Sequence, residues 1–353
     1  METALEWAGS SAVQAHTVLA LSGLTSLYIT IARPTIKLAA DGSHTCPPAS
    51  LYEAGTSPAL SPVGMCLFRF AMAVYIFGMG ATQYMRMGTY VFKFYTIWNW
   101  WLLGLYFTLA ATASALCVLA ESRANAKSRA ASSAAGANGS NQPAATSPTA
   151  NGTASGDVTK AGTAAPSSLQ RATPLSRTCH ALFMINSSTV IIVDAVCWGL
   201  LYPMLARGPQ TPETQRIIKR LLLTFTSYNQ HGLNALYVFA DLFLNRHRLA
   251  FHATGPLGLW SMAYAVWAHV WHAKSGKWLY PFLDTSKPWA PVAYFGLYMV
   301  HWIAFGLVAL LYRVKARIYG GGGNGSGGGG GKPHLVAAVA SGAAAGQGKG
   351  KTE

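Results

Sequence analysis

Residues 92–120, FKFYTIWNWWLLGLYFTLAATASALCVLA, carry a single charge, Lys93, in a run long enough to cross a bilayer as a helix. A hydrocarbon core of about 30 Å needs about 20 mostly apolar residues at the helical rise of about 1.5 Å. Aromatic side chains crowd the start of the run, as they do where a helix passes headgroup level. Five further stretches resemble it, at about 63–83, 182–205, 217–244, 256–273 and 291–312. The expectation is an all-α, polytopic bundle of about six spans, in which Arg69 snorkels from the start of the first. The apolar stretch 18–31 is shorter and reads equally as an interfacial helix, a buried segment or an extra span. No basic cluster precedes it, which argues against a cleaved signal peptide.

Composition agrees. Charged residues make up 10% of the 353, against about a quarter in a soluble protein. The net charge of +15 raises a nucleic-acid partner and then excludes it, because Lys and Arg form no long basic face. They sit in short clusters beside apolar runs, at 245–248 and 313–317, where anionic headgroups of membrane lipids would meet them. The five cysteines are scattered and lack the CxxC spacing of a metal site, so neither a metal nor a cofactor is implied.

The chain divides into an N-terminal segment (1–62), two spans (63–120), a linker (121–176), four spans (177–317) and a tail (318–353). Linker and tail are rich in Ala, Gly, Ser and Thr, too poor in apolar surface to offset the entropy of ordering, and are expected to be disordered. Six spans would put both termini on one side with the linker. Lys and Arg are nearly balanced across the two sides, so the placement rests on keeping linker and tail untranslocated. The last residues, Lys349-Gly350-Lys351-Thr352-Glu353, fit a dilysine pattern that a coat complex reads on cytosolic tails, or match it by chance. An endomembrane location, with the endoplasmic reticulum as one candidate, and the plasma membrane both remain open.

Ionisable groups inside spans are costly and mark functional positions by default. In the stretch 217–244, His231, Asn234 and Asp241 share one face of a regular helix, a stripe that interhelical hydrogen bonding also explains. Asp241 lies ten residues beyond His231, about 15 Å along the axis, too far to orient the imidazole. Thr96 and Asn99 share a face at the start of the 92–120 span, and Asp194 precedes Trp198 in the third. His269, His272 and His301 on the last two spans leave a haem or solute carrier as a remote alternative.

Five segments together resemble the androgen-induced/rolling-stone family of membrane proteins, in its plant and algal form. They are Leu67-Phe68-Arg69, Phe94 through Asn99, Val193-Asp194 through Tyr202-Pro203, His231-Gly232-Leu233-Asn234-Ala235 with Asp241, and Trp278 through Asp284. The resemblance covers about 63–317 apart from the linker. It implies a threonine hydrolase that cleaves lipid esters such as fatty-acid esters of hydroxy fatty acids. Thr96 takes the position of the nucleophile and His231 that of the catalytic histidine. Where that family's hydrolases carry Asn-His ahead of the histidine, this chain has Ser227 and Tyr228. Asn99, Asp194, Asn234, Asp241 and His301 are supporting candidates, with Asn99, Asn234 and His301 as oxyanion donors. The rolling-stone name implies the contrasting reading, a non-enzymatic protein of fusion, adhesion or trafficking.

Overall fold

Helix boundaries follow from local chemistry. The computed structural model describes residues 2–32, 49–138 and 166–320. The first long helix, α1 (Glu2–Ala32), is followed by the short α2 (Leu51–Gly55), which opens with a Ser50–Glu53 capping box. In α3 (Pro62–Met87), Ser61 caps the Gly64 amide and Pro62 takes the first turn, where its missing N–H costs nothing. Gly88, at φ 62°, ends it. A short 3₁₀ turn leads into α4 (Tyr95–Asn138). A Thr173–Ser176 capping box starts α5 (Pro174–Asp194), which passes through a π-helical turn at Ala195–Leu201 into α6 (Tyr202–Arg207). The short α7 (Pro212–Ile217) and α8 (Phe225–Tyr228) precede α9 (Asn234–Leu244). The last two helices are α10 (Thr254–Ser275) and α11 (Ala290–Gly320).

Among the described residues, five helices are long and apolar enough to cross a membrane, at Gly9–Ala32, Pro62–Lys93, Tyr95–Ala130, Pro174–Arg207 and Ala290–Tyr319. This is a polytopic helical membrane protein. The 22 residues of α10 also suffice in length, but its Gly, Ser and His lower its hydropathy. Leu21, Leu24, Phe70, Leu236, Val266 and Ile303 expose more than half of their surface, as lipid-facing side chains would.

The sequence reading is corrected in three places. The 217–244 stretch is not one helix. Leu223 (φ −95°, ψ 53°) interrupts it, and Thr224 starts a new turn by capping the Ser227 amide. His231 (φ −133°, ψ 33°) then kinks it again inside a π-helical turn at Asn229–Leu233. Second, Arg69 does not snorkel. It is fully buried, because Asp241 supplies its counter-charge while Ala54 and Ser114 accept from Nη1 at 2.6 and 3.0 Å. Third, the linker does not begin at Glu121. Helix α4 continues to Asn138 through an Ala-rich stretch, and alanine has the highest helix propensity. The far end of the linker folds as well, Leu51 and Tyr52 donating to the Arg171 and Leu169 carbonyls at 3.1 and 2.9 Å. Residues 139–165 and 321–353 lie outside the described residues, as do Lys349 and Lys351.

Of the alternatives open for 18–31, the extra span agrees with the structure: these residues belong to α1, antiparallel to α10. Thr30 abuts Gly255, Ser26 abuts Gly258 and Gly23 abuts Met262, with Ala15 buried beside Tyr264 and Ala268. Ser22, Ser26 and Thr30 return their hydroxyls to carbonyls one turn back, so the seam is small and self-satisfied. With α1 as a crossing, the start of α1 and the end of α11 fall at opposite ends of the bundle. One end holds Arg69, Asp241, Asn245 and Lys315; the other holds the starts of α1, α4 and α11. Between them Ile76, Tyr106, Phe107, Phe183, Leu242 and Val308 form a core without exposed surface.

Candidate active site

Thr96 stands in the first turn of α4, and His231 at the kink ahead of α9. Two helix starts are thereby aimed at one place. Thr96 Oγ1 lies 3.4 Å from His231 Nε2, although 135 residues separate them. Both line a cavity of about 1400 Å³. Ordinary small-molecule pockets hold about 300–1000 Å³, so this one has room for an extended chain. Its walls include Leu19 and Ile29 of α1, Val196 of the π-helical turn after α5, Leu257 and Tyr264 of α10 and Leu297 of α11. Exposed Arg86, Arg216, Arg220 and Lys277, with Lys93, give the same cavity a cationic margin beside Glu213.

The broken helix has a physical rationale. Non-helical backbone at membrane depth is tolerated where it lines a cavity or is buried in protein, since freed peptide groups need partners. Here Thr224, Thr226, Ser227, Gln230 and His231 all border the cavity. Trp198 Nε1, from the π-helical turn after α5, donates to the His231 carbonyl, and Asn234 Nδ2 donates to Asp194 Oδ1 at 3.0 Å. Two irregular turns on neighbouring helices thus brace each other, with Trp198 stacked on Tyr228. His231 Nδ1 is buried without a partner in hydrogen-bonding geometry, the Val193 backbone being the polar group that acts on the ring.

The structure separates the remaining candidates. Asn99 is spent on the scaffold, donating to the Tyr95 carbonyl at 2.8 Å and accepting from Trp260 Nε1 at 3.0 Å. Asp194 and Asn234 hold the two helices at the kink and touch neither Thr96 nor the His231 ring. Asp241 lies at the other end, accepting from Arg69, Tyr106 and Asn245. His301 lines the cavity but engages Ser261, while His269 faces Tyr294 and His272 stacks on Trp278. Among the described residues no group of three or more His, Cys, Asp or Glu side chains is placed to hold a metal ion. Sequence reasoning passed over Trp198, Tyr95 and Ser261. Tyr95 and Ser261 sit in aromatic helices where nothing local distinguishes them, but Trp198, next to two small or polar positions, carried a faint signal.

No curated protein and no solved structure matches the chain. The FAR-17a/AIG1-like protein model matches residues 171–316, which carry Asp194, His231, Asn234, Asp241 and His301 and leave Thr96 outside. Over that stretch the chain is similar to the FAR-17a/AIG1-like family, in agreement with the androgen-induced side of the resemblance.

Proposed function

We propose that this protein is an intramembrane hydrolase of lipid esters, with Thr96 as nucleophile and His231 as its base. The observation that carries the reading is the 3.4 Å approach of Thr96 Oγ1 to His231 Nε2 inside the cavity. A threonine hydroxyl attacks poorly until a neighbouring base takes its proton. Neutral imidazole does that near pH 7, and a resting contact longer than a good hydrogen bond is common before substrate closes the site. Thr96 Oγ1 would attack the ester carbonyl carbon while its proton passes to His231 Nε2. Collapse expels the alkoxide, which takes that proton and leaves as the alcohol. Water then attacks the acyl-threonine, again giving its proton to His231, and the carboxylic acid departs.

The apolar walls suit acyl chains, and the cationic margin suits an ester that also bears a free carboxylate, as a fatty-acid ester of a hydroxy fatty acid does. The test is hydrolysis of such an ester by membranes containing wild type, Thr96→Ala or His231→Ala chain. Activity that falls at least about a thousandfold in each folded variant supports the reading. Full activity in either variant refutes the site. A folded wild type without turnover of any lipid ester would favour the non-enzymatic reading.

A further inference from the structure

A second hydroxyl–imidazole pair faces the same cavity, with closer geometry than the first. Ser261 Oγ, on α10, lies 2.7 Å from His301 Nε2, on α11, and 2.7 Å from the Tyr95 hydroxyl, on α4. His301 Nδ1 lies 2.6 Å from the Leu297 carbonyl, one turn back on its own helix. All three of Tyr95, Ser261 and His301 line the cavity.

The proton order of this chain is forced. A carbonyl oxygen only accepts, so His301 Nδ1 carries the hydrogen that meets Leu297. In the neutral ring Nε2 is therefore a lone pair, and Ser261 must donate to it. Ser261 has one proton, now committed, so Tyr95 must donate to Ser261. The result is a hydroxyl aimed at a base whose tautomer is held by a third group, the arrangement that recurs wherever serine is activated. His231 has no such orienting partner on its Nδ1 in hydrogen-bonding geometry. An interhelical hydrogen-bond chain with no further role would have the same bonds. It would not require Ser261 and His301 to border a cavity large enough for a lipid.

We propose that Ser261 is a second nucleophile in this cavity, with His301 as its base, acting on carboxylic esters of lipids independently of Thr96. Ser261 Oγ bonds to the ester carbonyl carbon as its proton moves to His301 Nε2. The carbonyl π electrons go to the oxygen, which Tyr95 is placed to meet, because its hydroxyl already points at the attacking atom. The C–O bond to the alcohol then breaks, and the alcohol leaves with the proton from His301. Water reverses the sequence on the acyl-serine and releases the acid. The proposal stands apart from the Thr96 reading, since neither Ser261 nor His301 touches Thr96 or His231 within hydrogen-bonding distance.

The experiment is labelling of the full-length wild-type chain in membranes with a fluorophosphonate probe, followed by mass-spectrometric location of the modified residue. Mapping on unaltered protein avoids any loss of folding in a variant. Modification of Ser261, alone or with Thr96, is the expected result; Ser261 alone would stand for this proposal and against Thr96 as nucleophile. Modification of Thr96 alone, or of neither residue, overturns it. In a Thr96→Ala background the Ser261 adduct should persist, and adding His301→Gln should lower its rate by about a hundredfold or more. An unchanged rate there would also overturn it, because the serine would then react without its base.

Discussion

Arg69 and Asp241, 172 residues apart on α3 and α9, meet at 2.9 Å between Nε and Oδ1 with neither side chain exposed. The carboxylate also accepts from Tyr106 and from Asn245 Nδ2, while Asn245 Oδ1 accepts from Lys315 Nζ at 3.0 Å. Four helices and the connection after α9 are tied through one charge pair. Removing one member strands the other in a low-dielectric interior, at a cost of about 3–5 kcal/mol. Asp241→Ala should therefore lower thermal stability sharply in detergent. Arg69→Met combined with Asp241→Leu should recover much of the loss, as a double-mutant comparison of unfolding midpoints would reveal. Any folded fraction of Asp241→Asn should keep its reaction rate at Thr96, since this carboxylate serves the scaffold.

Trp198 holds the carbonyl that the kink at His231 frees. Trp198→Phe keeps an aromatic ring against Tyr228 but removes the donor. Misplacing a base by about 1 Å costs about a hundredfold. The rate of ester turnover should fall by about ten- to a hundredfold with little change in KM or unfolding temperature. Equal losses in stability and rate would mean that Trp198 only packs.

Gly255 admits α1. A Cβ there would stand 2.7 Å from the Thr30 backbone nitrogen and 2.9 Å from the Ser26 carbonyl oxygen, which no rotamer relieves. Gly255→Ala should cost about 1–3 kcal/mol and loosen α1. A Gly23→Cys and Met262→Cys pair should cross-link with a short bifunctional thiol reagent in an otherwise unaltered chain, and less readily beside Gly255→Ala. Equal cross-linking would show that the seam tolerates the methyl group.

His247, in the connection after α9, is buried against Phe183, and neither ring nitrogen has a hydrogen-bond partner. Burial first, then His180, Arg69 and Lys315, hold its pKa well below the ordinary 6.5. A folded value below the unfolded one means the unfolded chain binds the proton first. The stability of the neutral form is thus complete above about 6.5 and is lost as pH falls below it. His247→Phe should flatten the fall in unfolding temperature between pH 7 and 5. The same slope in both proteins would assign the effect to other groups.

The bundle was legible because 92–120 and its neighbours satisfy a length and polarity requirement that few other folds impose. The break in 217–244 was not, because Lys219, Arg220, Thr224 and Thr226 are individually acceptable in a helix. Only the peptide partners that Trp198 and the Thr224 cap supply make interruption cheap. Projecting His231, Asn234 and Asp241 onto one helical face assumed regular backbone across 231, where the kink lies. The meeting of Thr96 with His231 was likewise invisible to spacing within either helix, and came from resemblance. Ser261 gave no sign at all, since its importance lies in the two residues that other helices bring to it.

Helix α4 runs outward past the Arg69–Asp241 pair to Asn138, and α5 begins and α11 ends at that same end of the bundle, whereas the cavity's cationic margin belongs to the opposite end. The described ends of α4 and α11, Asn138 and Gly320, therefore lie on the side of the bundle away from Thr96 and Ser261. A molecule that leaves the cavity past Arg86 and Lys277 would enter the compartment opposite the one that the ends of α4 and α11 face.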